Sequence, residues 1–355
     1  MNCHFTRYTA KFISALIMTV FLCALIPSPG QTEEAPSGEP DPFSPGFSGY
    51  LQPMVGVGYS KSLSEVSDKN ERIDSLDQGA RSETDFVPML LWAMGYTLDN
   101  AATRFYAGTP EQNILEGTFF LELGIQQKLS NGTVLSAAYI PDIPGLDDEV
   151  WTDPFLLGAN RSETDRDAQA FRIGAESIFG SPFTLRYGFG TEDIDDDQAG
   201  VYLSQQPGAT LTAQDLQSLK RSGDYHQIEM RYDLPIGEMT ALQPGLAYTR
   251  GDADGDANSF DRFRAQVSLT RSMGRLFFFS TLSLSRAAYD LRHPVFDETR
   301  KDWAYGALVG AGYTAPFGWE NFMANCYTGF NRKDSNIGFY DATGAFFGIG
   351  LTWMF

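Results

Sequence analysis

Cysteine and histidine each occur only three times in 355 residues, and 26 Lys and Arg stand against 45 Asp and Glu. The first scarcity rules out a disulfide framework and a Cys/His-rich metal domain. The second, a net charge of −19, removes nucleic acid as an expected partner, since backbone binding draws on excess Lys and Arg. Long apolar runs are missing as well. After residue 26 none approaches the ~18–20 residues that a transmembrane helix needs. A chain of this kind can span a bilayer only as a closed barrel, because lipid offers no partner to open backbone groups.

What is present begins with an export signal. Arg7 and Lys11 precede a short apolar core from Ile13 to Ile26, and Ser28-Pro29-Gly30 places small residues before Gln31. This reads as a signal peptide over 1–30, cleaved near Gly30. Val20-Phe21-Leu22-Cys23 lacks the small residue that a lipoprotein signal places before its Cys. Cleavage removes Arg7 and Lys11 and no acid, taking the charge from −19 to −21, and leaves Cys326 as the one cysteine. Residues 31–48 are acidic and Pro-rich, a periplasmic linker too short to be a plug. Residues 49–355 are then one domain.

That domain alternates apolar and polar residues with period two, the mark of strands with one apolar face. Phe119, Leu121, Leu123 and Ile125 oppose Glu122, Gly124 and Gln126. Ile228, Met230, Tyr232 and Leu234 oppose Gln227, Glu229, Arg231 and Asp233. Phe263, Ala265, Val267 and Leu269 oppose Arg264, Gln266 and Ser268. Fourteen such segments can be counted, with twelve as the fallback if the short one near 103–108 fails. Long polar loops follow segments 1, 5, 7, 9, 11 and 13, and tight turns such as Ser130-Asn131-Gly132 and Ser272-Met273-Gly274 follow even-numbered ones. A soluble β-sandwich shares the alternation but has no reason to sort loop length by parity. The expected fold is therefore an all-β, antiparallel up-and-down transmembrane barrel with short periplasmic turns and long acidic external loops. Thr212 and Asp215 also fit a helix cap inside the longest loop.

The last residues sharpen this. Phe347, Ile349, Leu351, Trp353 and Phe355 form one apolar row opposite Gly348, Gly350 and Thr352. The row resembles the closing strand of bacterial outer-membrane barrels, whose final aromatic is the signal for insertion by the barrel-assembly machinery. Further stretches resemble a family of Gram-negative outer-membrane proteins known as a domain of unknown function. They are Asn131-Gly132-Thr133-Val134, Trp151 with Asp153-Pro154-Phe155, and His293-Pro294 with Phe296, Thr299 and Arg300. Gly318-Trp319-Glu320-Asn321, Asp334-Ser335-Asn336-Ile337 and Phe339-Tyr340-Asp341 complete the set. The resemblance implies an outer-membrane barrel among lipid and lipopolysaccharide, and assigns no activity.

Function is then sought on the polar parity. Glu122, Arg172, Glu176, Arg186, Glu229, Arg231, Arg264 and Gln266 cannot face lipid cheaply, since Arg or Lys at the midplane costs ~2–4 kcal/mol. They are expected to line a lumen. The leading expectation is a porin-like channel for passive diffusion of small polar solutes, with an acidic mouth that concentrates cations. A structural or adhesive surface barrel acting through its loops is the alternative, and an outer-leaflet hydrolase comes third. His226 and His293, at the external ends of strands eight and eleven, read as solvated loop histidines rather than catalytic ones, and Cys326 as a lipid-facing small residue. Asp252, Asp254 and Asp256 are spaced as in a calcium loop but lack a Glu at the twelfth position. No cofactor is expected beyond divalent cations loosely held at the acidic surface.

Overall fold

The computed structural model describes residues 42–110, 114, 120–142 and 148–355. The segment read as a signal peptide, most of the linker and Phe119 lie outside the described residues. Fourteen strands form the wall, β1 to β14. They are Gly46–Ser62, Ser82–Thr97, Thr103–Gly108, Glu122–Lys128, Val134–Ile140, Glu163–Glu176 and Phe183–Ile194, then Gly223–Tyr232, Thr240–Ala253, Phe260–Met273, Leu276–His293, Glu298–Thr314, Phe322–Ser335 and Ala342–Met354. Each pairs antiparallel with the next. β1 also pairs with β14 from Tyr50↔Met354 to Ser62↔Ala342, so the sheet closes and has no seam. Two short pieces lie apart: Asp148–Trp151 pairs with β6, and Leu234–Pro235 pairs with β9. β1 starts at Gly46, three residues before the boundary read from the sequence.

Side-chain parity settles which face meets lipid. Val57, Phe86, Leu90, Leu123, Phe171, Ile173, Leu246, Phe263 and Ile349 are exposed, while Gln52, Glu122, Arg186, Glu229 and Arg231 are buried. A soluble fold inverts that order. Paired aromatics mark both edges of the apolar band, as in other membrane barrels. On the turn side Phe47 meets Tyr96 at 4.7 Å, Phe183 meets Tyr232 at 4.8 Å and Trp353 meets Phe355 at 5.2 Å. On the loop side Tyr139 meets Phe171 at 4.9 Å and Tyr248 meets Phe263 at 5.0 Å.

The strict alternation of long loops and short turns needs correction. It holds for the connections 63–81, 141–162 and 195–222, and the connection 109–121 after β3, not among the expected loops, is long as well. Those at 254–259, 294–297 and 336–341 are as short as periplasmic turns. Residues expected as loop after strand eleven are instead paired strand, Ala288↔Lys301 and, past a bulge, His293↔Glu298. The reason is solvent. Above the bilayer the outer face of β11 carries Arg286, Asp290 and Arg292, so the strand continues without its apolar signature.

The short third strand exists and has a distinct purpose. β3 pairs with β2 only from Ala93↔Gly108 to Thr97↔Arg104. There Gly108 takes φ 120°, and a Cβ would sit 2.2 Å from the Trp92 carbonyl oxygen. The chain then turns inward. Thr109 N–H donates to that same carbonyl at 2.6 Å, and the Tyr50 hydroxyl, inside the barrel, donates to the Thr109 carbonyl. Pro88 shares the parity of Trp92, so its missing N–H falls on the side where no strand of the described residues pairs with β2.

Gly108→Val is expected to destabilise the folded barrel by about 1–3 kcal/mol, through forced positive φ and the backbone clash. Urea unfolding followed by far-ultraviolet circular dichroism would measure it, and an unchanged midpoint would contradict the inward turn.

Candidate functional site

The barrel interior has two unlike halves. On β4 to β10 it is charged. Glu122, wholly buried, pairs with Arg172 and accepts from the Tyr106 hydroxyl at 2.9 Å. Arg186 meets Glu176 at 2.9 Å, and Arg231 meets Glu229 at 3.4 Å. Arg264 and Gln266 stand on the same inward parity of β10, together with Arg262, which sequence reasoning passed over although it shares their alternation. On β11 to β2 the interior carries an apolar cluster. Met54, Leu91, Phe279, Leu308, Tyr327 and Phe346 form one cluster, and Ile114 of the inward connection packs into it. At the other end of that connection Phe120 lies 5.9 Å from the Arg172 guanidinium. The segment after β3 is therefore anchored at both ends within the lumen.

The row of small residues on β14 has a place in this interior. The Thr352 hydroxyl donates to Gln52 at 2.9 Å and accepts from Asn325 at 2.5 Å, so three strands are joined across the closing pair. Phe347, Ile349, Trp353 and Phe355 face outward and are exposed, with Leu351 on the same parity.

Over the external mouth lies a built cap. Leu63 and Ile73 after β1, Phe155 after β5, Ala199 and Leu219 after β7, Phe296 after β11, and Phe339 and Tyr340 after β13 share one cluster. These connections leave the ring at points spread around its circumference, so a cluster common to all of them spans the mouth. Buried polar groups fix it. The Arg161 guanidinium stacks 4.2 Å from the Trp151 ring and donates to the carbonyls of Leu63 (2.8 Å), Pro154 (3.0 Å) and Asn70. Asp153 accepts from the backbone N–H of Phe155 and Gly200 at 3.0 Å and of Tyr202 at 2.8 Å, which starts the short helix α1 (Val201–Ser204). Arg221 binds Asp197 through both Nε and Nη2, and the Trp151 carbonyl at 2.8 Å. The Thr212–Asp215 capping box opens helix α2 (Ala213–Ser218), as the sequence suggested.

His293 corrects the expectation of a solvated loop residue: it ends β11 and sits inside the cap, 1% exposed, among Phe155, Phe296 and Tyr340, because the aromatics of the neighbouring connections close over it. Val295 N–H donates to its Nδ1 at 3.3 Å, so Nε2 carries the proton and donates to the Tyr340 hydroxyl at 2.8 Å. Burial, with the nearby Arg300 adding to it, pushes its pKa down to about 3. Arg300 lies 3.6 Å over the Tyr340 ring and pairs with Asp302 at 2.6 Å. His226 is elsewhere. It is on the lipid-facing parity of β8, with Nδ1 at 2.8 Å from the Tyr187 hydroxyl and Phe189 alongside. The two histidines are thus in separate environments, each held by aromatic partners. Cys326 pairs with Ile349 on the outward parity. Asp252 is turned to Arg250 at 3.2 Å, and Arg250 also holds Asp290 at 2.7 Å. Among the described residues no three His, Cys, Asp or Glu side chains gather as a metal site.

Three of the sequence motifs supply cap residues, namely Trp151, Asp153, Phe155, His293, Phe296, Arg300, Phe339 and Tyr340, whereas residues 131–134 and 318–321 lie at the short turns of the opposite end. The family model for "Protein of unknown function (DUF2860)" matches residues 46–354. The chain belongs to the DUF2860 family. None of the curated proteins matches it in sequence. Among solved structures it is similar to OmpT, an outer membrane protein of Vibrio cholerae, at 12% identity and TM-score 0.41, covering 87% of this chain and 97% of that one. It is similar to an anion-selective porin from Comamonas acidovorans at 8% identity and TM-score 0.41, covering 87% and 99%. It is also similar to OccK3 of Pseudomonas aeruginosa at 10% identity and TM-score 0.38, covering 87% and 96%.

Because His293 is neutral when folded, the unfolded chain takes up its proton near pH 6.5 and the folded chain only near 3. Stability contributed by the cap should therefore fall progressively as pH drops from about 6.5 toward 3. Limited proteolysis of the loops across that range reads it. His293→Gln, which cannot titrate, should flatten the profile, and a variant as pH-sensitive as the parent protein would contradict this role.

Proposed function

We propose that this protein is a porin-like channel through which small polar solutes diffuse, with the loop cap as its external gate. The observation that carries the reading is the charged half of the lumen. Eight-stranded barrels are filled by side chains while sixteen to eighteen strands leave a water channel, and fourteen lies nearer the open end. Glu122, Arg172, Glu176, Arg186, Glu229 and Arg231 are buried or half-buried on the inner wall, and polar groups there need water or one another. A hydrated path along that wall supplies what they need and passes polar solutes. Outer-membrane lipid and lipopolysaccharide surround the barrel in this reading. The outward aromatic row ending at Phe355 delivers it to the assembly machinery, after the leader is removed near Gly30.

The cap supports a second reading. Its buried core makes a firm external platform, which suits a barrel that acts on the cell surface through its loops. One pair of measurements separates the two. Purified, refolded protein in a planar bilayer is expected to show discrete conductance steps, and deletion of 201–218, which removes both cap helices, is expected to raise the open fraction severalfold. A barrel that folds yet conducts neither with the loop nor without it would overturn the channel. Loss of surface binding on the same deletion would then favour the platform.

A further inference from the structure

The inner wall of β8 to β11 holds a cationic patch whose geometry follows from strand register alone. Three inward rows cross these strands. Gln227, Thr249, Arg262 and Ala287 form one, Glu229, Ala247, Arg264 and Ser285 the next, and Arg231, Gly245, Gln266 and Ser283 the third. In every row the residues on β9 and β11 are small, so the long side chains of β8 and β10 rise above them without obstruction. Arg231 and Gln266 flank the same Gly245, and a Cβ there would already touch the Arg231 side chain at 3.0 Å.

Charge in this patch is not balanced. Glu229 is engaged by Arg231 at 3.4 Å. No carboxylate of the described residues lies within ion-pair distance of Arg262 or Arg264, and the Arg262 guanidinium rests 5.3 Å from the Phe260 ring. Gln266, 8% exposed and on the inward parity, has neither its amide nitrogen nor its amide oxygen hydrogen-bonded. A buried amide with both ends open costs free energy that a bound polar group would recover. Arg264 one row away and Arg262 in the row beyond it supply the donors that an oxyanion accepts in pairs. The wall facing this patch across the lumen includes Met54, Leu91 and Phe346, which would accept the apolar part of a solute.

We propose that Arg262, Arg264 and Gln266, with Arg231 beside them, form an oxyanion-binding site in the lumen for small solutes bearing a carboxylate or phosphate group. Its place in transport rests on the channel reading, but binding itself does not. The acidic loops outside and this patch inside act in opposite directions on ions, and the narrower, less hydrated interior dominates selectivity.

The test is equilibrium dialysis of detergent-solubilised, full-length barrel against radiolabelled inorganic phosphate and, separately, acetate. Saturable binding of one or both is expected, with the better-bound ion identifying the oxyanion class. Arg264→Gln and Gln266→Leu should each weaken it by about tenfold or more, and Arg264→Lys should recover only part, because a point charge does not replace a fork of donors. Far-ultraviolet circular dichroism confirms that each variant is folded. Arg262→Gln should weaken it likewise; if that variant does not fold, the Arg264 and Gln266 variants carry the test. Absence of saturable binding to the parent protein, or equal binding by all folded variants, overturns the site. Binding without bilayer conductance would leave the site in place and remove the channel.

Discussion

Everything in this molecule depends on one backbone constraint: within lipid, every N–H and C=O must find a partner in the protein. The pairing of β1 with β14 meets it by closing the sheet, and the terminal residue takes part, since Gly49 and Phe355 exchange backbone hydrogen bonds at 2.9 and 3.0 Å. Once the sheet is closed, alternate side chains are committed to lipid or to lumen. The apolar parity is given to the bilayer, so the polar parity has only the interior. Buried charge is then a consequence of topology, and the ion pairs along β4 to β8 are how that charge is accommodated.

The interior is divided rather than uniform. Charged side chains cover one half and an apolar cluster the other, with Ile114 packed into the apolar cluster and Phe120 near Arg172. Above, loops from around the ring meet in a shared core stitched by Arg161, Asp153, Arg221 and His293. A cap of this kind is costly to open, because its polar groups satisfy one another inside an apolar shell. The same feature makes it suited to two-state behaviour, closed with its core buried and open with the connections released.

The fold was legible because strand parity is a strong local signal and lipid enforces it over the whole ring. Fourteen strands, the weak one at 103–108, the Thr212 cap and the closing row could all be read. Strand ends could not. Above the bilayer β11 to β13 lose the apolar half of their alternation and look like loops until the pairing is seen. The apolar half of the lumen was hidden for a related reason: Phe279, Tyr327 and Phe346 lie on the inward parity, where a polar residue was expected. The cap left a fainter trace. Trp151, Phe155, Phe296, Phe339 and Tyr340 are large aromatics within otherwise acidic or short polar connections, and such residues rarely stay in water. What could not be read is their convergence, since that depends on how a closed ring places the ends of distant strands.

The central claim is that the cap gates the lumen, and tethering the cap tests it directly. Arg72 and Asn160 oppose each other in a backbone bridge between the connections after β1 and β5. Cysteines at these two positions, in a Cys326→Ala background, would lock the connections together when oxidised. The account predicts that single-channel current falls or vanishes on oxidation and returns with reductant. Current that is present and unchanged in both redox states would contradict it.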